Sequence, residues 1–262
     1  MSILPPGVRR LDEREIDQEE EGAGVENHEV VSHGEWIKAR QQFLTKEKEF
    51  TRLRDQLSQR RRDLPWERVD KDYVFDGPNG KETLSDLFAG RSQLIVYHFM
   101  FGPDWDAGCP SCSLFADNFN GIVIHLNQRD VTFVAVSRAP FPKLEAYKRR
   151  MGWSFKWVSS SANDFNQDYH VSFTPEQVAK GAGYYNYVEQ RLFGEEMPGA
   201  SVFYKDPSGK VFHTYSTYGR GLDILMLSYN YLDLVPKGRD EAGQKPHPQA
   251  WVRRHDEYGR AS

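Results

Sequence analysis

The sequence predicts an α/β protein: a mixed central sheet flanked by helices, with a long N-terminal helix and an insertion before the third core strand. Three observations carry that expectation. Residues 94–101 form an uninterrupted apolar run, as a strand buried on both faces requires, and residues 131–137 form another. After the first run come Leu114, Phe115, Phe119, Ile122, Val123 and Leu126 at helical spacing, and after the second a helix over 142–151. Strand, helix, strand, helix implies a parallel pair joined by a right-handed crossover. Finally, residues 200–204 and 210–215 flank Asp206-Pro207-Ser208-Gly209, a turn across which two strands pair antiparallel.

The remaining elements follow in order. Residues 1–31 are rich in Pro, Gly, Glu and Asp, and only Ile3, Leu4 and Val8 are available as apolar anchors, so this stretch reads as a flexible arm. Ser32 with Glu35 fits a capping box, with Val31 and Trp36 as a hydrophobic staple. The helix so started runs to about Arg62, before Leu64-Pro65, and 32–66 is set apart as an N-terminal amphipathic helix. Trp36, Ala39, Phe43, Phe50, Leu53 and Leu57 give it one stripe expected to be buried, on the same domain or on a second subunit. Nine Lys or Arg residues between Lys38 and Arg62 read as a solvated face. Gly77-Pro78-Asn79-Gly80 turns a hairpin, and 84–88 is a helical turn. The main domain spans 67–236 and includes an aromatic-rich, less regular segment, 152–196, and a last helix over 222–234. The polar stretch 237–262, with Pro246 and Pro248, is expected as an extended C-terminal tail.

Composition narrows the function classes. With 262 residues, 39% of them hydrophobic, the chain can bury a sizeable core, and a formal net charge of −4 does not favour nucleic acid. No run approaches the length of apolar chain that crosses a bilayer, and the first residues lack a secretory pattern, so a cytoplasmic protein with no membrane partner is expected. In that reducing compartment the chain's two cysteines, Cys109 and Cys112, are catalytic or metal-binding rather than a structural bridge.

Cys109 falls where a strand hands over to a helix, and Pro110 suits the first helical position. A thiol at a helix N-terminus meets free amide groups and the positive end of the dipole, which favour thiolate. Cys109 is then the nucleophile, and Cys112, one turn on, resolves the mixed disulfide.

At these residues the chain resembles the thioredoxin fold, over roughly 94–234. The order of elements, the Cys-x-x-Cys at the first strand-to-helix junction and Met197-Pro198-Gly199 before a late strand carry the likeness. Phe101-Gly102-Pro103-Asp104-Trp105-Asp106, the Cys-Pro-Ser-Cys and Tyr229-Asn230-Tyr231-Leu232-Asp233 resemble, more closely, a bacterial thioredoxin-like family catalogued as a domain of unknown function. The resemblance implies that Pro198 is in the cis form against the dithiol and presents substrate backbone. Trp105, Asp106, Pro110 and Ser111 would complete the substrate surface. Two departures matter: the tryptophan of ordinary thioredoxins is displaced here to Trp105, and Asp106 stands where peroxiredoxins place Thr, three residues before the reactive Cys.

Other readings stay open. A structural zinc site needs four ligands, so His98, His125 or His213 would have to join the cysteines. Asp104 or Asp106 could move protons, or serve only the turn. Arg138 could stabilise a thiolate, or be an exposed loop residue. Tyr184-Tyr185-Asn186-Tyr187, with Phe165, Tyr169, Phe173 and Phe193, could line a pocket or form the core of the insertion. The leading expectation is a thiol–disulfide oxidoreductase without a bound cofactor or metal. Its partner would be a thiol or disulfide protein or a small thiol, and the chain could form a homodimer through its N-terminal helix and arm. The alternatives are a binding module holding a metal or small ligand, and a peroxiredoxin-like peroxidase.

Overall fold

In the computed structural model, which describes residues 28–259, the chain enters through the capping box the sequence announces. Ser32 Oγ accepts from the Glu35 amide (3.4 Å), and Glu35 Oε2 accepts from the Ser32 amide (3.0 Å). The helix α1 (His33–Arg62) ends at Asp63. None of its residues is buried, which corrects the expectation that the stripe packs on its own domain: among the described residues nothing lies along it. The expected flexible arm lies almost wholly outside the described residues.

A two-residue strand, β1 (Glu67–Arg68), leads to the hairpin β2 (Val74–Gly77) and β3 (Gly80–Thr83), turned at Pro78-Asn79 as expected. After a 3-10 turn (Asp86–Phe88) come β4 (Gln93–His98), α2 (Pro110–Phe119), α3 (Val123–Asn127), β5 (Val131–Ser137) and α4 (Phe141–Arg150). The single helix expected after β4 is thus broken around Gly121.

The segment 152–196 is more regular than its composition suggested. It holds β6 (Lys156–Ser159), α5 (Phe165–Asp168), α6 (Pro175–Lys180) and a separate hairpin, β7 (Ala182–Tyr185) with β8 (Val188–Arg191). β6 is a core strand parallel to β5. Only four residues long, with Lys and Ser at its ends, it carries too little apolar pattern to be seen. The chain then returns as β9 (Gly199–Lys205) and β10 (Val211–Tyr218), followed by a 3-10 stretch (Gly219–Leu225) and the short α7 (Leu227–Leu232).

Eight strands form one mixed sheet in the order β1-β10-β9-β4-β5-β6-β2-β3. β4, β5 and β6 are parallel, and β9 runs antiparallel to β4. This is a thioredoxin-like fold with helices on the sheet. Strand alternation in β4 divides the core: Leu94 and Val96 pack with Phe75, Leu87, Val134 and Phe203 on one face. Tyr97 and, just beyond the strand, Phe99 pack on the other with Cys112, Phe115, Phe119 and Trp157. Among the described residues no helix is long and apolar enough to cross a membrane.

The C-terminal stretch does not extend away as an arm. Trp251 packs at the edge of the dithiol-side core, Val252 is buried, and Arg150 forms ion pairs with Asp256 (2.8 Å) and Glu257 (2.8 Å). Apolar Trp251 and Val252, together with paired charges, hold the chain back across α4.

Candidate functional site

The site begins with the loop between β4 and α2. Phe101 and Gly102 are buried at the strand's exit, and Lys143 of α4 donates to the carbonyls of Pro103 (2.9 Å) and Trp105 (2.7 Å), fixing the turn from the side. Trp105 Nε1 donates to Glu195 Oε1 (2.7 Å), so the insertion pins the approach loop. The Cys109 amide donates back to the Met100 carbonyl (3.1 Å). Gly108 is required by close approach: a Cβ there would come within 2.6 Å of Phe99 Cε1 and 2.9 Å of Tyr147 Cε1. That contact seats the cysteine loop directly on the aromatic core.

Cys109 is the N-cap of α2 and half-buried, Pro110 is its first residue, and Cys112 is fully buried one turn in. The Cys109 thiol is lowered to about 7, chiefly by the Cys112 thiol directed at its sulfur, then by the backbone amides of Cys112 and Ser111 and by the charge of Arg254. The two amides are not aligned as a formal side-chain cap. They act as the positive end of the helix, which suffices to favour a thiolate. Burial pushes the Cys112 thiol well above the usual range, opposed by contact with the Tyr97 hydroxyl and the Met100 backbone. The pair is therefore polarised: one sulfur poised to ionise, the other holding its proton.

Arg254 closes the far side. Its Nη2 and Nε donate to the Gly108 carbonyl (2.8 and 3.1 Å), and Nε also reaches the Tyr147 hydroxyl (3.0 Å). That hydroxyl pairs with Ser113 Oγ (2.8 Å), which in turn donates to the Cys109 carbonyl (2.9 Å). One guanidinium thus grips both peptide carbonyls flanking Cys109, directly and through two hydroxyls.

Pro198 stands at one remove. Tyr185, buried in the β7 hairpin and near enough to Cys112 to feel its charge, donates to the Pro198 carbonyl (2.6 Å) and accepts from the Gly219 amide (2.8 Å). The Met197–Pro198 bond is trans, which corrects the cis expectation; among the described residues only Lys245–Pro246 is cis. Glu196 is bridged antiparallel to Ser172, and the Met197 amide donates to the Val171 carbonyl (2.8 Å). The backbone is already extended there and a trans bond carries it straight into β9.

Of the residues singled out in the sequence, Cys109, Pro110, Ser111 and Cys112 come together at the start of α2. Trp105 lies on the approach, half-buried, and Asp104 and Asp106 are exposed on the loop. Arg138 pairs with the buried Glu196 (3.0 Å) instead of a thiolate. Glu196 also accepts from Ser172 Oγ (2.6 Å), yet burial dominates and raises its carboxyl to about 7.

The histidines do not join the cysteines. His98 is buried on the opposite face of the sheet, bonded to Ser201 Oγ (2.8 Å), and His213 bonds Ser216 Oγ (2.7 Å). His125 is exposed on α3. Among the described residues no group of three or more His, Cys, Asp or Glu side chains is placed to hold a metal ion. The aromatic insertion is split by strand alternation. Tyr185 turns toward the dithiol, while Tyr184 and Tyr187 join Tyr169, Tyr218 and His213 around a cleft of about 340 Å³ to which the cysteine loop contributes nothing. Phe165 and Phe173 are core residues and Phe193 is exposed.

Sequence reasoning missed Tyr97, Tyr147, Ser113 and Arg254, and singled out Tyr185 only as part of an aromatic run, not as a partner of Pro198. Tyr97 left a weak signal as the one hydroxyl in the aliphatic part of the 94–101 run; Arg254, in a polar tail, left none.

Known structures offer distant likenesses. Peroxidoxin BcpB from Mycobacterium tuberculosis is 14% identical with a TM-score of 0.42, over 63% of this chain and 95% of that one. A cysteine-to-serine mutant of peroxiredoxin Q from Xanthomonas campestris is 15% identical with a TM-score of 0.43, over 64% and 99%. A protein disulfide isomerase-like structure from Bacteroides thetaiotaomicron is 16% identical with a TM-score of 0.38, over 64% and 91%. At this distance they do not speak to activity. No curated protein matches the sequence. The model of one family, "bacterial protein of unknown function (DUF899)", matches residues 25–258, and the chain belongs to that family.

Proposed function

We propose that this protein is a thiol–disulfide oxidoreductase working through Cys109 and Cys112. The observation that carries the proposal is the polarised pair: a half-buried N-cap sulfur lowered to about 7 beside a buried sulfur raised well above the usual thiol range. The Cys109 thiolate attacks one sulfur of a partner disulfide, and the other sulfur leaves as a thiolate that takes a proton. Cys112 then loses its proton, attacks Cys109 Sγ and expels the partner's second thiol. Two electrons have passed to the partner, and Cys109–Cys112 is a disulfide that a second thiol protein or small thiol reduces. Trp105, Asp106, Pro110, Ser111 and Pro198 are proposed as the surface on which the partner lies. A cytoplasmic setting and self-association through α1 complete the reading.

The test is trapping. Cys112→Ser is expected to accumulate a stable mixed disulfide with a partner or with a model disulfide, and Cys109→Ser to accumulate none. Insulin reduction supported by dithiothreitol should disappear in both. Equal trapping by the two variants would overturn the assignment. Stoichiometric metal that resists removal, without insulin reduction, would return the dithiol to metal binding.

A further inference from the structure

Among the described residues the long helix α1 has nothing packed along its apolar face. Trp36, Phe43, Phe50, Leu53 and Leu57 are 53%, 60%, 65%, 63% and 57% exposed. The domain meets the helix at its last turn, where the Arg61 guanidinium lies 4.8 Å from the centre of the Tyr215 ring. Among the described residues nothing else covers this helix of 30 residues, about 45 Å long, although packing of an apolar face is what normally holds a helix together.

The spacing of that face says what packs on it. Trp36, Phe43, Phe50 and Leu57 recur every seven residues, with Ala39, Lys46, Leu53 and Arg60 between them. Seven is the period of a seam between supercoiled helices; a helix lying on a globular core follows 3.6. A membrane surface is the poorer match, because a helix lying in the interface keeps its cations off the apolar face, and here Lys46 and Arg60 sit within the stripe.

We propose that α1 pairs with the α1 of a second copy of this chain, antiparallel, about a two-fold axis near Lys48. Charge decides the direction. In a parallel pair Lys46 and Arg60 would each face their own copy across the seam, and the Arg60-Arg61-Arg62 clusters would lie side by side. Reversing one helix places Phe43 against the partner's Leu53 and Ala39 against the partner's Leu57, so large residues meet smaller ones. It also places Lys46 against the partner's Phe50, Trp36 against the partner's Arg60, and Glu35 beside the partner's Arg61. Cations then lie on aromatic faces instead of on each other. At roughly 100 Å² for each exposed large side chain, five from each copy bury on the order of 1,000 Å² together, the lower bound for a specific interface. The pairing names the partner in the self-association proposed for this chain and is independent of its redox chemistry.

The full chain is tested by sedimentation equilibrium at micromolar concentration. A dimer is expected, and Phe43→Glu with Phe50→Glu should halve the apparent mass while insulin reduction persists. A monomeric wild type, including one that instead binds anionic phosphatidylserine vesicles, overturns the proposal. Direction is read by oxidative cross-linking in a Cys109→Ser, Cys112→Ser background. Phe43→Cys mixed with Leu53→Cys should cross-link to each other, and Phe43→Cys alone should not; efficient self-cross-linking of Phe43→Cys means a parallel pair and overturns the antiparallel assignment. Loss of insulin reduction with the dimer intact would strike the redox reading and leave this one standing.

Discussion

Replacing Arg254 by Gln tests whether the C-terminal stretch is part of the dithiol site. The substitution removes a positive charge that lies on the Gly108 carbonyl, one peptide before Cys109, but keeps a donor at about the reach of Nε. The full lowering of the Cys109 thiol, from 9.0 to about 7, corresponds to about 3 kcal/mol of preference for thiolate. Most of it belongs to the Cys112 thiol and the helix amides, and Glu257 sits on Arg254 Nη1 at 3.0 Å, offsetting part of its charge. A share of about 1 kcal/mol remains, so Arg254→Gln should raise the Cys109 pKa by about half to one unit. With Cys112 in place, the thiolate fraction at pH 7 would fall from about one half to between about a quarter and a tenth, slowing alkylation by iodoacetamide about two- to fivefold. The assay is thiolate absorbance at 240 nm and alkylation rate, each followed from pH 5 to 10 in a Cys112→Ala background against Cys112→Ala alone; both curves lie higher there because the Cys112 thiol is gone, and the shift between them is the readout. Arg254→Lys should recover part of the shift. A folded Arg254→Gln protein with an unmoved titration curve would refute the electrostatic role and leave Arg254 as a clamp on the loop.

Tyr97→Phe keeps the ring stacked on Phe115, with centroids 4.5 Å apart, and removes the hydroxyl that reaches Cys112. We expect about 1 kcal/mol lost in urea unfolding and about tenfold slower release of a mixed disulfide formed at Cys109, measured by stopped-flow. Gly108→Ala forces a methyl group against Phe99 and Tyr147 and should cost about 1–3 kcal/mol, with Cys109 displaced and its alkylation rate changed. Glu196 gives a pH dependence. Its carboxyl is raised in the folded protein to about 7 from 4.5, so its contribution to stability is fully present below pH 4.5 and is lost as pH rises through 7, by at most about 3 kcal/mol. Melting temperatures of wild type and Glu196→Gln between pH 4.5 and 8 should converge at the acid end and separate at the neutral end. Parallel curves would show that the carboxyl titrates as an ordinary surface group.

What the sequence disclosed and what it withheld divide along the reach of the interactions. Capping at Ser32, the turn at Pro78-Asn79 and the apolar runs of β4 and β5 are settled by neighbours a few residues apart, and each can be read from residue type and spacing. The Cys-Pro-Ser-Cys stretch is equally local, since a strand exit, a proline and a helix start are enough to place both sulfurs. β6 fell below detection because burial on both sides of four residues is decided by the sheet that surrounds them. The trans bond before Pro198 has the same origin: residues 171–172, far back in the insertion, set the line of the backbone that a family likeness could not foresee.

The site's outer parts are still less local. Arg254 lies 146 residues beyond the Gly108 carbonyl it grips, and Tyr185 is brought to the Pro198 carbonyl by a hairpin outside the main sheet. Yet both act on features that were legible: Arg254 on the peptide before Cys109, Tyr185 on the proline before β9. The dithiol loop offers its carbonyls and its sulfur, Ser113 of α2 and Tyr147 of α4 supply the hydroxyls, and the C-terminal stretch supplies the charge of Arg254. The proposed exchange would then rest on the local geometry of a strand-to-helix junction, with Arg254 adjusting it from an appended segment. Substitutions at Cys109 or Cys112 should therefore abolish exchange, whereas those at Arg254 or Tyr185 should shift its pH profile and rate.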